Sequence, residues 1–127
     1  MEKSNRSEKK QTLLQSFKVA FAGLADLAKN ERNFRIHLVF AFLALLLCLL
    51  LGVSSMEWIV VIILIVFVLS AEAVNTCFET LCDLVSPEYH PQVKKIKDIS
   101  AGMVLLGAIA SVVIAGIIFL PYIICLL

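Results

Sequence analysis

The stretch WIVVIILIVFVLSAEAVNTCFETLCD, residues 58–83, decides the fold of this chain. Residues 58–71 contain no charged side chain and are typical of a membrane-spanning helix. The remainder places four polar side chains at helical spacing: Glu72, Asn75, Glu79 and Asp83. At about 100° per residue these positions fall within roughly 80° of arc. A helix that begins as an apolar membrane segment therefore ends in a face rich in carboxylates.

Acids at membrane depth need a partner, because each costs about 2.5 to 3.5 kcal/mol at the bilayer centre on insertion scales and less near an interface. A divalent cation is the natural candidate for the three acids of this face. A carboxylate stripe on a spanning helix is equally typical of an ion or proton pathway. A third interpretation is that these acids only end the span at the interface.

The composition indicates a membrane protein of a single domain. The chain has 127 residues, of which 61% are hydrophobic, and this share is too large for an ordinary soluble globule. Two more charge-free stretches, 38–56 and 99–127, are long enough as helices to cross a hydrocarbon core of about 30 Å. We therefore predict an all-α membrane protein with transmembrane helices at about 34–53, 57–85 and 92–124. Small residues in the last of these favour close packing in an oligomeric helical bundle.

The region before the first span is more polar. Residues 1–10 predict a disordered tail, and the single domain is expected to cover 11–127. Across 11–29 apolar residues recur every three or four positions, which predicts an amphipathic helix on the cytoplasmic membrane surface. A cytosolic helix packed on partner helices would show the same periodicity. His37, at the inner end of the first span, is most simply an interfacial side chain.

Positive charge is confined to one side of the predicted topology. All eleven lysines and arginines lie before Ile36 or within 94–97. With three spans these two regions share one side of the membrane, and the positive-inside rule makes that side cytoplasmic. The N-terminus is then cytoplasmic, 52–57 forms an external turn, and the C-terminus is external.

Residue types that serve phosphoryl transfer collect at the cytoplasmic end of the predicted spans. Beside the face on 72–83 lie six more side chains: Glu31, Glu88, Tyr89, His90, Lys97 and Asp98. Carboxylate oxygens suit Mg²⁺ that also binds phosphate. A lysine can offset phosphate charge while a further carboxylate orients an attacking hydroxyl. From these residues alone, an enzyme and an ion or proton pathway are equally good hypotheses.

Two familiar kinds of site are missing from the sequence. It contains neither GxxxxGK[ST] nor GxGxxG, so helix-borne side chains must build any nucleotide site. The cysteines show no metal-ligand spacing, and we interpret all four as small buried hydrophobic residues. They are Cys48, Cys77, Cys82 and Cys125.

Three segments together resemble the prokaryotic diacylglycerol kinase family: 72–83, 87–90 and 97–102. The segment Asn30-Glu31-Arg32-Asn33-Phe34-Arg35-Ile36-His37 is similar to the Gram-positive branch of that family, whose members are chiefly undecaprenol kinases. The resemblance extends from about residue 12 to the end of the third span. The joint spacing of Glu31, the 72–83 face and Lys97-Asp98 makes it specific.

The resemblance implies a homotrimer of three-span protomers in the bacterial cell membrane, with active sites shared between neighbouring protomers. It implies Glu72 as the general base on a lipid hydroxyl, with Asn75 beside it, and Glu31 and Glu79 as ligands of Mg²⁺. A further set is implied as contacts of the ATP co-substrate, with Lys97 also serving catalysis. This set is Glu88, Tyr89, His90, Lys97 and Asp98.

On this basis we expect ATP-dependent phosphorylation of a membrane lipid alcohol, with undecaprenol converted to undecaprenyl phosphate. Diacylglycerol, converted to phosphatidic acid, is the alternative substrate. A small membrane subunit that translocates ions or protons is the alternative of a different class. No nucleic acid is expected as a partner.

Overall fold

Four α-helices make up most of residues 11–127, the part of the chain that the computed structural model describes. The polar tail predicted for 1–10 lies outside these residues. The helices are α1 (Leu13–Asn30), α2 (Arg32–Leu51), α3 (Ser55–Val85) and α4 (Pro91–Leu126). By length and composition α2, α3 and α4 can each cross a membrane. The predicted all-α membrane fold with three spans is thereby confirmed.

Local capping explains where the helices begin and end. Thr12 caps α1, because its hydroxyl accepts from the Gln15 amide while the Gln15 side chain accepts from the Thr12 amide. Ser54 and Glu57 form the same reciprocal pair at the start of α3. Gly52, with φ of 61°, ends α2 in the left-handed conformation that glycine adopts without steric cost.

A single residue, Glu31, separates α1 from α2. Nη1 of Arg35 donates to the carbonyl oxygens of Lys29 and Ala28, so a cation of α2 satisfies the last carbonyls of α1. This contact sets the bend between the two helices and with it the position of Glu31.

No residue of α1 is buried against the rest of the chain. Leu13, Phe17 and Phe21 are among its exposed apolar side chains. An amphipathic helix whose apolar face is uncovered by its own chain is typical of a helix in the plane of a membrane interface.

The three spanning helices pack with an apolar end and a polar end. Near the α2–α3 turn, a buried cluster contains Cys48, Val53, Val61, Ile118 and Phe119. The three buried polar side chains of the described residues, Glu72, Asn75 and Ser100, lie instead toward the other end. We call this other end, which includes the α1–α2 junction and the α3–α4 loop 86–90, the site end of the bundle.

Close approach of α3 and α4 depends on a small residue. A Cβ atom on Gly107 would come within 2.9 Å of the Phe67 ring. Glycine therefore lets α4 lie directly against α3, as small residues do in membrane helix pairs.

The interpretation of all four cysteines as buried is wrong for two of them in the isolated chain. Cys48 and Cys82 are buried, whereas Cys77 and Cys125 are exposed. The outward-facing positions of a spanning helix contact lipid or another chain, so an apolar residue there is not covered by its own chain.

Candidate active site

The centre of the site end is a hydrogen-bonded row of three side chains, two of which are buried. Oγ of Ser100 donates to Oδ1 of Asn75 at 2.7 Å, which joins α4 to α3. Nδ2 of Asn75 in turn lies 3.3 Å from Oε1 of Glu79 and donates to it. Asn75 and Ser100 are each 4% exposed, whereas Glu79 is exposed. The row therefore runs from the packed interior to the surface and fixes the orientation of the Asn75 amide.

Glu72 is the most enclosed acid of the site, with 3% of its surface exposed. It lies on the same face of α3 as Asn75, one helical turn deeper. Its Oε2 is 3.9 Å from Nε2 of His37 on α2. Glu31 and Glu79 are acids close enough to act on its carboxylate. A buried carboxylate between three spanning helices and close to further acids is costly, which marks a functional position.

His37 has a partner that the sequence analysis did not foresee. Its ring is mostly buried and faces Glu72 on α3. Ser100 is a second residue that the sequence analysis missed. A lone serine in an apolar segment gives little signal, although its place three residues after Lys97 puts both on neighbouring positions of α4.

The cationic part of the site lies nearer the surface. Nζ of Lys97 on α4 is 2.6 Å from Oδ1 of Asp83 on α3. Lys94 and Asp98 form a second ion pair, within the first turns of α4. Burial decreases along the polar face of α3, since Glu72 and Asn75 are buried while Glu79 and Asp83 are exposed. Of these four residues, Asp83 pairs directly with Lys97 within one chain.

The loop residues predicted to contact ATP lie apart from the hydrogen-bonded row. Glu88, Tyr89 and His90 are exposed, and Tyr89 retains 79% of its surface. Nδ1 of His90 accepts a hydrogen bond of 3.1 Å from the Gln92 amide and caps α4, so this ring already has a local role. Their assignment to a nucleotide stays a prediction.

The acids predicted to bind Mg²⁺ have suitable chemistry but do not complete a centre in one chain. Glu31 is the N-cap of α2, yet its side chain makes no capping hydrogen bond, which leaves the carboxylate available. Glu79 exposes its side chain. Within residues 11–127 no three His, Cys, Asp or Glu side chains come together as a metal site. Two carboxylates do fit an ion that takes its remaining oxygens from phosphate and water.

An apolar cavity of about 430 Å³ lies between α2, α3 and α4. His37 lines it toward the site end, and Phe119 lines it toward the apolar end. Leu47, Val61 and Val68 are among the intervening side chains. The cavity therefore connects the membrane-spanning part of the bundle with the surroundings of Glu72. A second apolar cavity, of about 390 Å³, lies beneath α1.

Comparisons with known proteins identify the family of this chain. The family model described as prokaryotic diacylglycerol kinase matches residues 18–119. The chain is 38% identical over 106 residues to an undecaprenol kinase of Bacillus subtilis, a match that covers 84% of this chain and 86% of that protein.

Two diacylglycerol kinases are also similar to the chain. That of Synechocystis sp. is 37% identical over 110 residues, with 86% of this chain and 63% of that protein covered. That of Haemophilus influenzae is 31% identical over 108 residues, with 84% of this chain and 92% of that protein covered. The family match over most of the chain shows that the protein is an enzyme, which answers the choice between an enzyme and an ion or proton pathway. The chain therefore belongs to the prokaryotic diacylglycerol kinase family and is a membrane lipid kinase whose phosphoryl donor is ATP.

Proposed function

We propose that this kinase phosphorylates undecaprenol and releases undecaprenyl phosphate. The observation that supports this most directly is the position of Glu72, a buried carboxylate near the end of an apolar cavity between three spanning helices. A long isoprenoid chain cannot leave the bilayer, so its hydroxyl must meet the catalytic groups at the membrane boundary. The similarity to a protein named undecaprenol kinase favours this alcohol.

Diacylglycerol is the second candidate substrate, because two of the similar proteins are named diacylglycerol kinase. Its hydroxyl would meet the same carboxylate, and its acyl chains would occupy the same apolar surroundings. The two alcohols differ in the bulk next to the hydroxyl, which a competition experiment can measure.

In the mechanism that we propose, Glu72 orients the lipid hydroxyl and accepts its proton as the oxygen attacks the terminal phosphorus of ATP. Asn75, held by Ser100, keeps Glu79 in place beside this base. Lys97 offsets charge on the phosphates, and the exposed loop 88–90 together with Asp98 contacts the nucleotide. Glu31 and Glu79 would hold Mg²⁺, which when bound supplies positive charge to the phosphate oxygens.

The proposed functional unit is a homotrimer with shared sites. The support is the family resemblance, together with two carboxylates that are open to a neighbour, since Glu79 is exposed and Glu31 makes no capping bond. In a shared site, Glu31 and Glu79 of neighbouring protomers would meet. The positive-inside rule supports a cytoplasmic site end and N-terminus and an external C-terminus, so cytosolic ATP reaches the site.

The deciding experiment uses purified protein in mixed micelles with labelled ATP and Mg²⁺, and offers undecaprenol and diacylglycerol separately and in competition. We expect labelled lipid phosphate from both, with undecaprenol preferred in competition. A preference for diacylglycerol would overturn the choice of substrate. Absence of any lipid phosphate with either alcohol would overturn the proposal as a whole.

A further inference from the structure

His37 occupies a position between the apolar cavity and the buried acid. It lines the cavity of about 430 Å³ at its site end. On its other side, its Nε2 faces Oε2 of Glu72 at 3.9 Å. The side chain of His37 is 19% exposed and that of Glu72 is 4% exposed, so little water competes for either.

The distance between the two side chains allows a single oxygen atom to bridge them from the side. At 3.9 Å, Nε2 and Oε2 are too far apart for a direct hydrogen bond. A single oxygen that makes a hydrogen bond of about 2.8 Å to each of them spans this distance. An oxygen placed to the side of the pair can therefore accept from Nε2 and donate to Oε2 at the same time.

The remaining cavity wall offers no competing polar site among the described residues. Ser111 is the other polar residue on the wall, and its hydroxyl donates to the carbonyl oxygen of Gly107 in its own helix at 2.8 Å. All other lining side chains are apolar. A molecule with a long apolar chain and a single polar end would therefore place that end at His37, beside Glu72.

We propose that His37 binds the acceptor hydroxyl of the lipid substrate, an inference that rests on the proposed function. Its Nε2–H donates to the hydroxyl oxygen, while the hydroxyl donates its own hydrogen to Glu72. The second lone pair of the oxygen then remains free to attack phosphorus. His37 thus becomes a specificity-determining residue that requires a hydroxyl at the end of the apolar chain.

The transfer step balances with the groups already named. A bond forms between the lipid oxygen and the terminal phosphorus of ATP. The bond from that phosphorus to the bridging oxygen breaks, and its electron pair stays on ADP. The hydroxyl proton passes to Glu72, and His37 keeps its own proton throughout.

Three substitutions at one position test the proposal. In His37→Gln the amide nitrogen reaches the place of Nε2 and keeps a donor there. In His37→Asn the amide reaches only the place of Nδ1, and His37→Ala has no donor. We expect the KM for the lipid alcohol to stay within about threefold for Gln and to rise at least about tenfold for Asn and Ala. The KM for ATP should be unchanged in all three.

A second measurement separates hydroxyl binding from a change in cavity shape. A competitive inhibitor with the same chain and a terminal hydrogen in place of the hydroxyl should bind wild type and His37→Ala equally well. An inhibition constant that rises as much as the KM of the alcohol would overturn the proposal, as would equal kinetics for all three variants. Thermal unfolding of each variant provides the folding control.

The two levels of inference fail in different ways. If wild-type protein makes no lipid phosphate, the proposed function fails. If wild-type protein is active on its preferred alcohol and the Asn and Ala variants keep its lipid KM, only the role of His37 fails. The inhibitor experiment also applies to a variant with low turnover, because direct competition against a bound labelled alcohol gives the same constant.

Discussion

Ser100 and Asn75 form a buried hydrogen bond of 2.7 Å that joins α4 to α3 at the polar face on 72–83. Because Oδ1 of Asn75 accepts from Ser100, its Nδ2 is held on the side of Glu79, to which it donates. Spacing along α3 aligns Asn75 with the acids, but the contact that fixes its amide comes from another helix. The orientation of the Asn75 amide thus depends on how α3 and α4 pack together.

Ser100→Ala should lower both stability and turnover. The substitution leaves the Asn75 oxygen without its donor, and we expect a loss of about 1 kcal/mol in the free energy of unfolding together with a reduced kcat. Ser111→Ala is the matched control for stability, since its hydroxyl bonds only within its own helix. Equal unfolding of the two variants would contradict a special role for the Ser100 bond.

Glu72→Gln should nearly abolish turnover and leave ATP binding intact. The amide keeps the volume of the carboxylate but cannot accept the hydroxyl proton. Kinase assays and equilibrium binding of a labelled ATP analogue measure the two effects separately. The control is Glu57→Gln at the opposite end of the same helix, which should keep its kcat. A parallel loss of binding and turnover in Glu72→Gln would refute its role with the acceptor.

Glu79→Gln should remove the stabilisation of the protein by Mg-ATP and keep the hydrogen bonds that join Ser100, Asn75 and residue 79. Glutamine retains an oxygen that can accept from Asn75, whereas the charge that attracts the cation is lost. Mg-ATP at about 100 times its Kd should stabilise wild-type protein by about 2.7 kcal/mol and the variant far less, as thermal unfolding can show. Chelation of Mg²⁺ should abolish wild-type turnover, and added Mg²⁺ should restore it. Full stabilisation of the variant by Mg-ATP would argue against metal binding at Glu79.

Lys97→Ala should weaken ATP binding about tenfold to a hundredfold, which corresponds to the loss of about 1.5 to 3 kcal/mol from a charge-assisted contact. The readout is the KM for ATP at saturating lipid. Lys95→Ala is the control, because Lys95 takes part in none of the ion pairs within residues 11–127. Unchanged KM and kcat in Lys97→Ala would remove Lys97 from the site.

Tyr122→Phe should destabilise the end of the bundle farthest from the site while leaving both KM values unchanged. The Tyr122 hydroxyl donates to Oε2 of Glu57 at 2.6 Å, and this bond joins α4 to the start of α3. We expect a loss of about 1 kcal/mol in the free energy of unfolding. Unfolding can be measured by the fluorescence of Trp58, the only tryptophan. Tyr89→Phe, in an exposed loop, should not change stability. A raised KM in Tyr122→Phe would show that the two ends are coupled.

Much of the fold could be predicted from the sequence because each signal is local. Apolar runs identify three spans, and helical spacing aligns Glu72 with Glu79 on one face of α3. Capping residues mark the helix starts, since Thr12 and Ser54 act within the next three positions. The residues 72–83, 87–90 and 97–102 also carried a family resemblance that the comparisons confirm.

The partners of the site side chains could not be predicted in the same way. His37 and Glu72 are separated by thirty-five positions and meet only because α2 packs on α3. Ser100 pairs with Asn75 for the same reason across α3 and α4. Periodicity states which face of a helix is polar, but not which residue of another helix it will face.

The sequence by itself determined that this protein is a three-span membrane protein with a polar site at one end of its helices. This was possible because the cost of charge in a bilayer and the periodicity of a helix can both be recognised within one segment of the chain. Only the tertiary structure decided that His37 faces Glu72 at the end of an apolar cavity and that Ser100 fixes Asn75. The physical reason is that these contacts depend on the rotation and depth at which separate helices pack together, which no single segment encodes.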